Sequence, residues 1–267
     1  MLWAMESEAH PFDWMVVFGD SLSDTGNTTG ARYSNGPLWI EHLADRLALS
    51  AEPAARGGGN YAVGGARVDG GSGSFSLRDQ AHRFLASRPP TAALRQTLFI
   101  VYGGGNDLFA ALADPDPQRV TSGAATALLA IIRDLADAGA GHMLVPNLPD
   151  LARVPAVRQH GAEARRRAAE LTRTFNRILE EGLLELERGR VVRLRRLDAH
   201  RLLEQAVRDP VAAGLAGVDF TTPCVPDAAS APCVDPDRRL FWDSVHPTAV
   251  GHARLGAAAF QRLLSAD

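Results

Sequence analysis

Short runs of β type recur along the chain, residues 14–18 (WMVVF), 98–102 (LFIVY) and 143–146 (MLVP) being apolar and 191–197 (VVRLRRL) mixing apolar residues with arginine, several of them followed by Gly or Asp. Runs of this kind suit strands buried on both faces of a parallel sheet and feeding loops. Residues 60–63 form a shorter strand candidate. Between the runs the apolar positions shift to helical spacing. Residues 37–49 begin with Pro37 in a first turn and carry Leu38, Ile40, Leu43 and Leu47. Residues 121–138 are rich in Ala, Leu and Ile, and 162–187 place Ala164, Ala168, Leu171, Phe175, Ile178 and Leu186 on one stripe. A last helix runs from Thr248 with Val250, Ala253, Ala257, Phe260 and Leu264. Strands alternating with helices predict an α/β sandwich around a mostly parallel sheet, with ligands beyond the carboxyl ends of the strands.

Composition narrows the chemistry. The 267 residues allow one large domain or two small ones, and 46% hydrophobic against 22% charged residues is an ordinary globular balance. All 28 basic residues are arginine, which excludes a Walker-type phosphate loop, a pyridoxal or Schiff-base lysine and a protein-kinase site. A net charge of −3 implies no broad basic surface, so no nucleic-acid partner is expected. No apolar run approaches the roughly 18 residues of a membrane span. The start, MLWAMESEAHPFDW, carries Glu6 and Glu8 where a secretory signal would be apolar. The protein therefore stays inside the cell, or a signal was removed before this chain was defined. The only cysteines, Cys224 and Cys233, lie close together in a Pro-rich segment. Their closeness favours a disulfide and a secreted or periplasmic location, the alternative being two reduced thiols in a cytoplasmic protein.

Four segments carry candidate chemistry. The first strand ends in Phe18-Gly19-Asp20-Ser21-Leu22-Ser23-Asp24-Thr25-Gly26-Asn27, which presents the Ser21 hydroxyl at the sheet edge. A serine needs a base to become a nucleophile. Asp243-Ser244-Val245-His246-Pro247-Thr248 offers one, with the carboxylate three positions before the imidazole. Asn60-Tyr61-Ala62-Val63-Gly64-Gly65-Ala66 and Gly103-Gly104-Gly105-Asn106-Asp107 offer a backbone N–H and a side-chain amide for a developing oxyanion. Asp20 is expected to order its turn, Asp107 to brace its loop, and His252 to be structural or solvent-facing. Ser23 is the rival nucleophile. Gly57-Gly58-Gly59 has neither the preceding strand nor the following helix of a dinucleotide site.

In this order, FGDSLSDTGN, NYAVGGA, GGGND and DSVHPT resemble the SGNH, or GDSL, hydrolase family, and are most similar to its bacterial secreted esterase, lecithinase and haemolysin branch. The FWD run before HPT, the segment LVPNLPDL and the cysteine pair resemble that branch too. The resemblance implies a three-layer α/β/α sandwich with a flavodoxin-like parallel sheet, in one domain over residues 1–267. It implies Ser21 as nucleophile, His246 and Asp243 as its triad partners, and Ser21, Gly65 and Asn106 as oxyanion donors, with Gly64 the alternative to Gly65. Leu22, Leu108, Leu148, Trp242 and Val245, in or beside the motifs, are candidates to line an apolar acyl pocket. The expected function is hydrolysis of carboxylic esters with short- to medium-chain acyl groups, by a monomer with no metal or cofactor. A phospholipase or lipid acyltransferase using the same acyl-enzyme is the alternative, and an inactive binding module the remote one.

Overall fold

The computed structural model describes residues 11–28, 32–70, 75–87, 89–189, 192–227 and 229–265. The acidic start of the chain, Val191 and the end of the chain lie outside the described residues.

Four strands, β1 (Trp14–Gly19), β2 (Thr97–Tyr102), β3 (His142–Pro146) and β4 (Arg193–Leu197), form a parallel sheet in the order β1-β2-β3-β4. All six residues of central β2 are buried, as its unbroken apolar run requires. β4 reads RLRRL and lies at an edge, where Arg196 pairs with Glu187 at 3.0 Å. Charge along an exposed edge discourages pairing with another chain.

The strand expected over 60–63 is reduced to a bridge between Asn60 and Val17. Its backbone still runs along the free side of β1, through Tyr61 N–H to Val17 O (2.8 Å) and Val63 N–H to Gly19 O (3.1 Å). Regular pairing fails because the Asn60 side chain is engaged locally, donating to Ser23 O at 2.7 Å and accepting from Ala62 N–H at 3.0 Å.

The helices are α1 (Trp39–Arg46), α2 (Leu77–Ala86), α3 (Thr91–Arg95), α4 (Gly105–Ala113), α5 (Pro117–Ala138), α6 (Pro155–Arg158), α7 (Gly161–Gly189), α8 (Ala199–Arg208) and α9 (Ala249–Leu264). α1 packs on α9, while α2, α4, α5 and α7 pack among themselves. The sheet between these layers makes an α/β/α sandwich. Phe84 on α2 meets Phe18 and Phe99 edge-on, at ring distances of 5.9 and 5.5 Å. Burial of each such ring contributes about 1.5–3 kcal/mol. Among the described residues no helix is long and apolar enough to cross a membrane.

Several elements differ from expectation. α1 is shorter than 37–49, since the chain turns at Ala48 with φ +50°. α5 starts before residue 121, because Asp116 accepts from Arg119 N–H at 3.1 Å and Pro117 opens the helix. The glycines at 103–105, expected only as a strand end, instead launch α4. Gly104 has φ +110° and a Cβ there would lie 2.4 Å from Phe175 Cζ, so only glycine fits. α2, α3 and α8 lie in stretches for which the sequence predicts no helix.

Candidate active site

β1 delivers the chain to its C-terminal edge at Gly19, and the next turn holds Ser21, which is 7% exposed. Asp20 Oδ1 accepts from Leu22 N–H at 3.0 Å and so tightens the turn. Asp24 extends the order: its Oδ1 accepts from Gly26 N–H (2.9 Å) and Asn27 N–H (2.7 Å). Asn27 Nδ2 then donates to the carbonyls of Asn60 and Ala62, both at 2.8 Å. The first and second motifs are thereby sewn together.

The fourth motif reaches Ser21 from the far end of the chain. His246 Nε2 lies 2.8 Å from Ser21 Oγ across 225 sequence positions, and His246 Nδ1 lies 2.7 Å from Asp243 Oδ2. The Asp243 carboxylate also accepts from the backbone N–H groups of Val245 (2.8 Å) and His246 (2.7 Å). Partial burial pushes the Asp243 carboxyl up, but the His246 ring and these backbone donors outweigh it and hold the group below the usual carboxylate range. Ser23 is fully buried and its hydroxyl accepts from the Trp39 indole N–H at 3.0 Å, which removes it as a rival.

The candidate oxyanion donors differ in how far they are engaged, and of them Ser21 and Asn106 line the cleft beside His246 while Gly65 does not. Gly64 N–H is taken by Asp24 Oδ2 at 2.9 Å. Among the described residues the N–H groups of Ser21 and Gly65 have no partner. Gly65 sits at φ +75° with nothing within 4 Å of where a Cβ would be, leaving its surface open. Asn106, in the first turn of α4, donates one Nδ2 hydrogen to Ala66 O at 2.9 Å. An amide carries two such hydrogens, so one remains for a ligand. Next to it Asp107 Oδ2 accepts from Val68 N–H at 3.0 Å, tying the glycine segment to α4. Burial pushes Asp20 and Asp107 each up to about 6.

A narrow cleft of about 60 Å³ holds Ser21, Asn106 and His246 with Leu22, Leu148 and Val245. The other two pocket candidates do not reach it. Leu108 is fully buried and faces the core, because a residue two positions past Asn106 lies on the opposite side of a helix. Trp242 lines neither the cleft nor the larger space beside it, since it alternates with inward-facing Phe241 in the hairpin that closes on Pro247.

Several contributors were missed from sequence. Tyr33 packs its ring 5.0 Å from that of His246, and Ser34 Oγ donates to Pro247 O at 3.0 Å. The Tyr-Ser-Asn-Gly-Pro cluster signals only a turn. Phe109, three residues after Asn106 and thus on its face of α4, lines the cleft with Tyr102 and Pro149. Cys224 and Cys233 are joined by a disulfide with Cα atoms 4.9 Å apart. The loop they close leans on the His246 hairpin through Cys224 N–H to Phe241 O (2.9 Å) and Val225 N–H to Trp242 O (2.7 Å). Among the described residues no group of three or more His, Cys, Asp or Glu side chains is arranged to hold a metal ion.

Serine, imidazole and carboxylate stand in hydrogen-bonded series beyond the carboxyl ends of parallel strands, an arrangement of the kind serine hydrolases use. The chain belongs to the GDSL-like lipase/acylhydrolase family, whose model matches residues 15–259. It is 34% identical to Lipase 1 of Photorhabdus luminescens over 158 residues, 57% of this chain and 24% of that one. It is 29% identical to esterase EstA of Pseudomonas aeruginosa over 323 aligned positions, 98% of this chain and 48% of that one. The chain thus spans between a quarter and a half of these relatives' own length. The acetylxylan esterase Axe2 of Geobacillus stearothermophilus shares the fold at a TM-score of 0.51 and 15% identity, with 96% of each chain covered.

Proposed function

We propose that this chain is a carboxylic ester hydrolase acting through Ser21, His246 and Asp243. The observation that carries this is the unbroken series Asp243–His246–Ser21, with contacts of 2.7 and 2.8 Å, in a cleft that Asn106 also lines.

Ser21 Oγ attacks the ester carbonyl while its proton passes to His246 Nε2, and the carbonyl oxygen becomes an oxyanion. The N–H groups of Ser21 and Gly65 and the free hydrogen of the Asn106 amide receive that charge. Collapse of the intermediate breaks the bond to the alkoxy oxygen, which takes the proton from His246. Water then repeats the attack with its proton going to His246, and the carboxylic acid leaves as Oγ regains a proton. Asp243 fixes the ring so that Nδ1–H faces the carboxylate and Nε2 faces the hydroxyl. Leu22, Leu148 and Val245 favour an apolar acyl group.

The chain acts as one domain, because its nucleophile and base come from opposite ends of the sequence. The disulfide supports an exported protein. The substrate is a small-molecule or lipid ester, and the working form a monomer. The test is labelling with a fluorophosphonate, together with turnover of an aryl ester. Ser21→Ala and His246→Ala, each folded, are expected to lose several orders of magnitude in kcat, and Ser21→Ala to lose the label. Near-wild-type turnover in either would sink the assignment. Transfer of the acyl group to an added alcohol, measured beside hydrolysis, separates an acyltransferase from a hydrolase.

A further inference from the structure

α8 has an apolar face that no other described helix covers closely, although Leu202 touches the main core and Leu203 the small cluster of Val154, Leu240 and Phe241. Asp198 caps it by accepting from Arg201 N–H at 3.0 Å, and Ala199, Leu202, Leu203 and Ala206 follow at helical spacing. Such a stripe is normally pressed against another element. Among the described residues, however, α8 packs closely on none of the other helices. Its stripe instead lines a chamber of about 680 Å³, whose other side includes Leu255 of α9 and Leu240 and Phe241 of the hairpin. That volume is typical of a small-molecule site.

The chamber and the Ser21 cleft adjoin one another. Leu22, Tyr102, Pro149, Val154 and Val245 line both. Leu22 directly follows Ser21, so the wall common to the two spaces begins one residue from the hydroxyl and is mostly apolar. The walls are mostly apolar, with His252 among them and a rim of exposed Gln205, Arg208, Asp209 and Arg254. His252 Nδ1 accepts from Trp39 N–H at 3.2 Å, and burial lowers its pKa to about 3, so the ring stays uncharged.

We propose that this chamber takes the acyl chain of the substrate, entering from the Ser21 cleft past Leu22, and that the enzyme thereby favours long linear acyl groups over short ones. The assignment rests on the ester-hydrolase chemistry proposed above for Ser21. The acyl chain is the occupant rather than the alcohol because it stays bonded to Ser21 Oγ through both half-reactions. The alcohol must leave to admit water beside His246. The preferred chain is then longer than the short- to medium-chain groups expected from sequence.

The experiment measures kcat/KM on nitrophenyl esters from acetyl to dodecanoyl, beside acetate esters of lengthening alcohols. A fully buried methylene is worth about 0.8 kcal/mol, hence about fourfold in kcat/KM, so the acyl series is expected to rise by about twofold to fourfold per methylene past octanoyl. Ala206→Trp, which fills the chamber, is expected to lower the dodecanoyl-to-acetyl ratio at least about tenfold. Leu203→Trp serves the same purpose if Ala206→Trp fails to give the circular dichroism of a folded chain. An acyl series that falls beyond butyryl, a rise confined to the alcohol series, or an unchanged ratio in the folded variant overturns the proposal. Acetyl-ester hydrolysis that needs Ser21 but shows no chain-length gain overturns the chamber and leaves the Ser21 chemistry standing. Absence of hydrolysis on every ester counts against the Ser21 chemistry itself.

Discussion

Asp20, beside Ser21, is expected to make the folded protein less stable at neutral pH than a neutral residue would. It is 5% exposed, and burial raises its carboxyl from an ordinary value near 3.8 to about 6. A raised carboxyl binds its proton more tightly in the fold than in the unfolded chain. The stability so gained is fully present below about pH 3.8 and is lost as pH rises through about 6. Two pH units at roughly 1.4 kcal/mol each give about 3 kcal/mol. Asn cannot ionise and keeps the oxygen that accepts Leu22 N–H. Asp20→Asn is therefore expected to raise the unfolding free energy by about 3 kcal/mol at pH 8 and hardly at all at pH 4. Urea denaturation at pH 4, 6 and 8, with the disulfide intact, reads the difference from the midpoints at constant slope. An equal gain at pH 4 and 8, or a loss at pH 8, would refute the reasoning. The expected result would mark Asp20 as a residue kept for the site at a cost in stability.

Asp243→Asn is expected to lower kcat by about 10⁴-fold, because an amide whose oxygen serves the backbone donors turns its NH₂ towards His246 Nδ1 and imposes the wrong tautomer. Steady-state turnover checks this. Since Asp243 is held below the usual carboxylate range, the stability it contributes is present above that range and lost only as pH falls beneath it. Asn106→Ala is expected to cost about 10²–10³-fold in kcat with KM nearly unchanged, as for a donor that acts in the transition state, and saturation kinetics separates the two. Replacing both cysteines by serine is expected to lower the unfolding free energy by somewhat under ~3 kcal/mol, read by denaturant titration, because the loop closed is short.

The sheet was legible because buried parallel strands are the one element whose signal is local and continuous. WMVVF, LFIVY and MLVP need no context to be read. The candidate site stands out for a similar reason, since Ser21, Gly65, Asn106, Asp243 and His246 each sit in a compact motif, and the structure brings Ser21, Asn106 and His246 to one cleft. What depends on direction was not legible. Leu108 and Leu148 are equally close to motifs in sequence, yet helical rotation sends Leu108 into the core. The backbone of Leu148 is instead clasped by Asn176 of α7, at 2.9 Å through its N–H and 2.8 Å through its carbonyl, beside the cleft. That Gly64 N–H is already engaged could not be read from sequence, because its partner Asp24 lies 40 positions away. α8 carried readable marks in its Asp198 cap and the Pro210 stop, but its apolar face shows its meaning only once the space opposite is seen.

The span of 225 positions between Ser21 and His246 also sets a clock. In a chain made from its N-terminus at about 5–20 residues per second, the hydroxyl emerges roughly ten to forty-five seconds before its base. All four strands precede the His246 hairpin, so the sheet can assemble while the hydroxyl still lacks a partner. The imidazole is fixed only when Ser34 and Asn35 grip Pro247 and Ala249 and α9 settles against α1. On the proposed chemistry, Ser21 remains an ordinary alcohol for the whole of that interval, and reactivity appears as the last event of folding.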